Sequence, residues 1–276
     1  MKYSEALKFG QSLLEGKNIA DAKFDAWYLL SHVSGMTRSD YILKGEDQMP
    51  EAEMNKYRAV LEKRADHTPL QYITGDQDFM GLTFLVNENV LIPRQDTEDL
   101  VEHAIKCCPE GARVLDLCTG SGCVIISLVA KKEGVSGLGT DISEKALEVA
   151  KVNAARLAPG RVDFVWGDMF EPVDGKFDMI LSNPPYIPSE VVDGLEPEVK
   201  DHEPRLALDG TQDGLFFYRT ITSQAPAYLK EGGCLMVEIG YDQGEDVADL
   251  FTSAGFKNVE VIKDLAKNDR IVKGNL

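Results

Sequence analysis

A chain of 276 residues, 43% hydrophobic and 27% charged, can bury one large core and a smaller second one, and this balance excludes a disordered or fibrous polymer. Its formal net charge of −17 argues against a nucleic-acid backbone as the partner, because proteins that hold phosphates present a basic patch. No apolar run is long enough for a membrane span, and Met1-Lys2-Tyr3-Ser4 leads into a polar amphipathic segment rather than an export signal, so the expected compartment is cytoplasmic.

The acidity is unevenly shared. Residues 1–75 hold ten Lys+Arg against eleven Asp+Glu, and the rest of the chain holds nineteen against thirty-five. Cysteines stand at 107, 108, 118, 123 and 234, with no pair at the two-residue gap of zinc or redox motifs, and the four histidines are scattered. Reduced thiols and no metal are expected.

Residues 1 to about 67 carry only helical spacing. Leu7, Leu13 and Leu14, then Phe24, Trp27, Tyr28 and Leu30, then Met54, Tyr57, Val60 and Leu61 recur at three- and four-residue steps. Pro50 followed by Glu51 and Glu53 marks a helix start, where proline needs no donor and acids meet the positive end of the dipole. A small helical bundle over 1–70 follows, and we expect it to select a protein substrate. Asp78 to Val86, turning at Asn87-Glu88-Asn89 into Val90-Leu91-Ile92, reads as a β-hairpin inside a linker over 71–95.

From Thr97 the rhythm becomes helix and strand in alternation. Strands are expected at 113–118, 137–141, 162–166, 177–181, 234–239 and 259–262, with helices near 97–105, 122–132, 143–157, 214–230 and 244–254. That order predicts an α/β domain over 96–276 with a mostly parallel sheet covered by helices on both faces. Ligands of such sheets sit beyond the carboxyl ends of the strands, so the residues leaving each strand are the candidates.

The first of these strands runs into Asp116-Leu117-Cys118-Thr119-Gly120-Ser121-Gly122, whose glycines let a backbone approach a ligand before a helix begins. The second ends at Asp141, followed by Ile142 and Ser143; an acid about 20 residues past the glycine loop can accept both hydroxyls of a ribose. Asp141 could equally cap the next helix, although Ser143 can do that instead. A dinucleotide fingerprint would need a third glycine where Ile125 stands. After the third strand, Asp168 can accept an adenine amino group and Met169 can cover the ring.

Ser182-Asn183-Pro184-Pro185-Tyr186 leaves the fourth strand. Two prolines fix φ and remove two backbone donors, so acceptors and a ring face remain. The Asn183 side-chain oxygen and the Pro184 carbonyl can each take one hydrogen of a planar NH2 group, with Tyr186 stacked on its plane. An amide nitrogen is a poor nucleophile because its lone pair is delocalised into the carbonyl. Acceptors that strengthen as positive charge grows on nitrogen favour attack on an activated sulfonium methyl, and the rest is in-line positioning without a strong base.

Along nearly its whole length the chain resembles the HemK/PrmC family of protein-(glutamine-N(5)) methyltransferases. The resemblance rests on Pro69-Leu70-Gln71-Tyr72-Ile73-Thr74-Gly75, Phe79-Met80-Gly81, Val90-Leu91-Ile92-Pro93-Arg94 with Thr97-Glu98, Asp116 to Gly122, Asn183 to Tyr186, Glu203-Pro204-Arg205, Asp213-Gly214-Leu215, Glu238-Ile239-Gly240 with Gln243, and Lys263-Asp264-Leu265 with Asp269-Arg270. It implies a Rossmann-like class I methyltransferase with a seven-stranded sheet and a reversed last strand, S-adenosyl-L-methionine as donor, and the glutamine of a Gly-Gly-Gln tripeptide in peptide chain release factors as acceptor, hence a role in translation termination. By position it implies donor contacts at Cys118, Thr119, Gly120, Ser121, Gly122, Asp141, Ile142, Asp168, Met169 and Asn183, and an acceptor clamp at Asn183, Pro184, Pro185 and Tyr186. Cys118 departs from a common glycine, Met169 from a common aromatic, and Arg94-Gln95-Asp96-Thr97 from the usual second proline and glutamate. Alternative acceptors for the same tetrad are a ribosomal-protein glutamine and an adenine amine of nucleic acid; the 69–75 and 90–94 segments favour the release-factor glutamine over the ribosomal one, and the acidity disfavours the adenine.

Overall fold

A computed structural model describes residues 1–276. Contacts divide it into two compact units, one of Met1–Gly75 with Glu196–His202 and one of Asp76–Leu195 with Glu203–Leu276.

The first unit holds α1 (Tyr3–Glu15), α2 (Ala22–Ser34), α3 (Arg38–Lys44), α4 (Glu51–Ala65) and α5 (Leu70–Thr74). Pro50 precedes α4 with Glu51 and Glu53 in its first turn, as the spacing predicts. Thr37 and Asp40 cap α3 reciprocally at 3.1 Å each way, satisfying two otherwise orphaned amides. Leu14, Ala26, Leu29, Leu30, Tyr57 and Leu61 are buried together, and the Tyr57 hydroxyl donates to the Ala26 carbonyl at 2.8 Å. Arg64 is buried among carboxylates, 2.7 Å from Asp25 and 2.6 Å from Glu198, so the 196–202 segment is tied to these helices by charge.

The second unit begins with a hairpin, β1 (Asp76–Phe79) and β2 (Leu82–Leu85), joined at Met80-Gly81 with φ of 52° and 72°. The turn is therefore two residues, not Asn87-Glu88-Asn89, and Val90-Leu91-Ile92 is not a strand. Two consecutive positive φ values match the twist of paired strands, but methionine at the first of them hides the signal usually carried by Asn-Gly or Asp-Gly. Phe79 and Phe84 of the hairpin are buried in the core of this unit.

Alternation follows: α6 (Asp96–Cys107), β3 (Arg113–Leu117), α7 (Cys123–Lys131), β4 (Ser136–Asp141), α8 (Glu144–Leu157), β5 (Val162–Trp166), β6 (Phe177–Ser182), the short α9 (Ser189–Val192) and α10 (Pro197–Lys200), the last within the first unit, a 3-10 turn at Arg205–Ala207, then α11 (Phe216–Tyr228), β7 (Leu229–Glu238), α12 (Gly244–Ser253), β8 (Lys257–Lys263) and β9 (Asp269–Asn275). The sheet order is β5-β4-β3-β6-β7-β9-β8, parallel from β5 to β7, with β9 antiparallel to both neighbours. β9 has no counterpart among the strands expected from periodicity, because Asp269, Arg270 and Lys273 interrupt its apolar run. The reversed last strand is nevertheless what the family resemblance implies.

Successive residues of the central strands face opposite layers. Val114, Met179, Leu181, Cys234 and Met236 pack under α6, α7 and the hairpin, whereas Leu115, Leu117, Ile180, Leu235 and Val237 pack under α11 and α12. The chain runs from β3 to β4 on one side and returns to β6 on the other, so strand order reverses between β3 and β6, and a crevice opens there at the carboxyl ends. No helix is long and apolar enough to cross a membrane.

Candidate active site

Beyond β3 the backbone turns through left-handed conformations at Cys118 (φ 56°), Gly120 (φ 55°) and Gly122 (φ 79°). Glycine is the usual residue for such angles, so Cys118 carries a side chain in a conformation that favours glycine. Gly122 has a packing duty, since a Cβ there would lie 2.7 Å from Ile126 Cδ1. Ile125, which stands where a dinucleotide fingerprint wants glycine, is fully buried, and it fits because Gly137 on β4 leaves it room.

Asn153 of α8 secures this loop from behind. Its Nδ2 donates to the Ser121 carbonyl and to the Leu85 carbonyl at 3.0 Å each, and its Oδ1 accepts from the Leu85 amide at 2.8 Å. Asp116, also buried, accepts from the Thr119 hydroxyl at 2.6 Å. Burial pushes its carboxyl up to about 7, against the downward pull of Thr119.

At the end of β4, Ser143 caps α8 by accepting from the Ala146 amide at 3.2 Å. Asp141 is thereby released from that duty. Its Oδ2 accepts from the Gly120 amide and its Oδ1 from the Ser143 amide, both at 2.9 Å. Each oxygen keeps a lone pair, so the residue can take two further hydroxyls. Burial raises its carboxyl above the ordinary value and the amides pull it back.

A cavity of about 230 Å³ lies over these strand ends. Cys118, Gly120, Asp141, Ile142, Asp168, Met169, Asn183 and Pro185 all line it, so the structure brings together the glycine loop, the β4 acid, the β5 loop and the tetrad. A second cavity of about 40 Å³, bounded by Asp116, Thr119, Gly120, Ser121, Thr97 and Asn183, adjoins the same loop. Gly122 and Pro184 line neither cavity. The Ser121 hydroxyl is buried without a hydrogen bond.

Asn183 donates through Nδ2 to the Thr97 hydroxyl at 3.1 Å, which leaves Oδ1 available as an acceptor. Pro184 and Pro185 are buried. Tyr186 sends its hydroxyl to Glu238 Oε1 at 3.4 Å, and its carbonyl accepts from Gln243 Nε2 at 3.1 Å. Tyr186 is not among the residues that line either cavity.

Sequence reasoning passed over several contributors. Phe216, Phe217 and Leu206 form an apolar wall of the larger cavity, and Val90 and Leu91 line it from the segment expected to be a strand. Thr97 and Glu238 sit directly behind Asn183 and Tyr186. Glu238 ends β7, so the same strand-end rule that selected Asp141 would have found it.

A doubly wound sheet with a reversed last strand, a glycine turn, a strand-end acid and an Asn-Pro-Pro-Tyr loop on one cavity define a Rossmann-like class I methyltransferase. Residues 5–75 match the family model of the PrmC N-terminal domain, and residues 95–194 that of the methyltransferase small domain. The release factor glutamine methyltransferase of Geobacter sulfurreducens is 40% identical over 273 residues, 99% of this chain and 96% of that protein. That of Agrobacterium fabrum is 40% identical over 266 residues, covering 94% and 92%. A crystal structure of a methyltransferase from Pyrococcus furiosus superposes with a TM-score of 0.54 at 18% identity, over 71% of this chain and 89% of that one, a likeness of fold alone. The chain belongs to the release factor glutamine methyltransferase family.

Proposed function

We propose that this chain methylates the side-chain amide nitrogen of a glutamine in peptide chain release factors, the glutamine of a Gly-Gly-Gln tripeptide, in the cytoplasm. The observation that carries the reading is that Asn183 and Pro185 share one cavity with Gly120, Asp141, Asp168 and Met169, so an acceptor clamp and a nucleoside-type site open onto the same space.

The residues fit S-adenosyl-L-methionine. Asp141 has two oxygens with spare lone pairs, Asp168 offers an acceptor for an exocyclic amine, and Ile142, Met169 and Phe216 give apolar cover for a flat ring. The positive-φ turn at Cys118 and Gly120 allows close backbone approach, and the Gly122 amide closes the turn onto α7 by donating to the Thr119 carbonyl at 2.8 Å. When bound, the donor supplies a methyl carbon made electrophilic by its sulfonium.

Asn183 Oδ1 and the Pro184 carbonyl then each accept one hydrogen of the glutamine amide. As the nitrogen gives up its conjugation its N–H groups become stronger donors, so both bonds tighten toward the transition state. Pro185 and Tyr186 keep the loop stiff, and the nitrogen loses its proton to solvent as the product forms. With Asp141 and Asn183 fixed by neighbouring groups, the chemistry is chiefly positioning.

Mass spectrometry of a purified release factor after incubation with the enzyme and donor tests the reading. A single added methyl on the Gly-Gly-Gln glutamine is expected. Modification of a ribosomal protein instead, or of no protein at all, refutes it.

A further inference from the structure

The two ends of an asparagine amide have opposite hydrogen-bonding character, so Asn183 serves as an acceptor only if something fixes its rotation. Its Nδ2 donates to Thr97 Oγ1, and Thr97, the second residue of α6, is buried. A hydroxyl that accepts from an amide must send its own proton elsewhere. An acceptor stands ready beside it in the carboxyl of Glu238, the last residue of β7, 1% exposed, whose buried Oε2 has no hydrogen-bond partner and is free to receive that proton. Tyr186 approaches Oε1 of the same carboxyl. One buried acid therefore stands behind both the first and the last residue of the tetrad.

We propose that Glu238 is a positioning residue for the acceptor clamp. Its carboxylate accepts a hydrogen bond from the Thr97 hydroxyl, which turns the Thr97 lone pair to Asn183 Nδ2 and presents Asn183 Oδ1 to the substrate amide, while the same carboxylate anchors the Tyr186 hydroxyl. The assignment rests on the glutamine-transfer reading above.

An ionised carboxylate only accepts, so it imposes one polarity along Glu238, Thr97 and Asn183. A protonated carboxyl can donate to Thr97 Oγ1, compete with Asn183 Nδ2 and allow the amide to turn over. Asn183 would then aim an NH2 at an NH2, and no bond could form. Around the carboxyl stand Thr97 and Asp96 from α6, Tyr186 from the loop after β6 and Arg270 from β9, while the Tyr218 hydroxyl of α11 donates to the Glu238 carbonyl at 2.9 Å. Arg270 is shared with Asp96 at 3.1 Å and Asp264 at 3.2 Å, so it neutralises Glu238 only in part. Burial raises the carboxyl to about 7, against Thr97, Arg270 and Tyr186, so the polarity is lost as pH falls through neutrality.

The test uses the full chain with release factor as methyl acceptor, measuring kcat, KM for the release factor, donor Kd and the pH–rate profile. Glu238→Gln is expected to lower kcat/KM for the release factor by about 10- to 100-fold, the range for one hydrogen bond to a charged group, with donor Kd unchanged. The fall in rate on acidification should disappear in that variant. Thr97→Val should match its loss, Thr97→Ser should recover most of it, and combining Glu238→Gln with Thr97→Val should cost little more than either alone. A wild-type-like rate with an unchanged acid limb, or an equal loss of donor affinity, overturns the proposal. Should Glu238→Gln fail to fold, the Thr97 pair decides: equal activity of the valine and serine variants overturns it. Failure of the native chain to methylate any release factor would instead refute the functional reading itself.

Discussion

The Gly120 amide donates to Asp141 Oδ2 at 2.9 Å, joining the turn after β3 to the end of β4. The acid is thus held at the cavity wall by backbone rather than by a mobile partner. Asp141→Ala should weaken donor binding by about 10- to 100-fold, the worth of one or two hydrogen bonds to a carboxylate, with the fold retained. Isothermal titration calorimetry with S-adenosyl-L-methionine measures this directly; an unchanged Kd removes Asp141 from the donor site.

In the proposed reading Asn183 acts on the other ligand. Asn183→Ala removes an acceptor that matters most in the transition state, and turnover should fall by about 100-fold or more. Donor Kd should stay within about threefold, because the proposed reading assigns donor recognition to Asp141, Asp168 and Met169. Single-turnover kinetics alongside calorimetry separate the two, and parallel losses contradict the division of labour.

Asn153 makes three hydrogen bonds while fully buried, to both backbone groups of Leu85 and to the Ser121 carbonyl. Asn153→Leu leaves those three groups unpaired at about 1–3 kcal/mol each. A loss of at least about 3 kcal/mol in chemical denaturation is expected, with the transition of the second unit affected. A change under about 0.5 kcal/mol would mean that solvent replaces the bonds.

Cys118 faces the cavity yet should be inert. Burial, with Asp141 and Asp116 adding negative charge nearby, pushes its thiol far above the ordinary cysteine range, so almost no thiolate exists near neutrality. Cys107 is exposed. Treatment of the folded protein with iodoacetamide at about pH 8, read by peptide mass spectrometry, should alkylate Cys107 first and spare Cys118.

Asp116 makes stability depend on pH in an unusual direction. Its folded value, about 7, lies above the ordinary 3.8, so the folded state binds the extra proton. Its stabilisation is complete below the unfolded value and is lost as pH rises from there through about 7. Asp116→Asn should therefore flatten the decline in Tm between about pH 5 and 7.5; an unchanged slope shows that other groups set it.

Much of this molecule is readable along the chain. The alternation after Thr97 locates four of the seven sheet strands closely and the second half of β7, because parallel strands buried on both faces are short apolar runs and helices repeat every 3.6 residues. β8 is also visible, but β9 is not, since its charged residues lie among apolar ones. The hairpin is read in the right region and turned in the wrong place, because Met80 takes a positive φ that its side chain does not advertise.

Local sequence by itself determined most of the elements, though not β9 or the hairpin turn, together with the glycine turn and the Asn-Pro-Pro-Tyr loop, because each follows from φ restriction, side-chain spacing and donor count within a few residues. Only tertiary structure decided that Thr97, 86 positions before Asn183, accepts its amide, and that Glu238, 52 positions after Tyr186, receives its hydroxyl. Those partners are chosen by which strand ends and helix starts meet at the reversal between β3 and β6. A hydrogen bond depends on distance in space, and no local pattern records it.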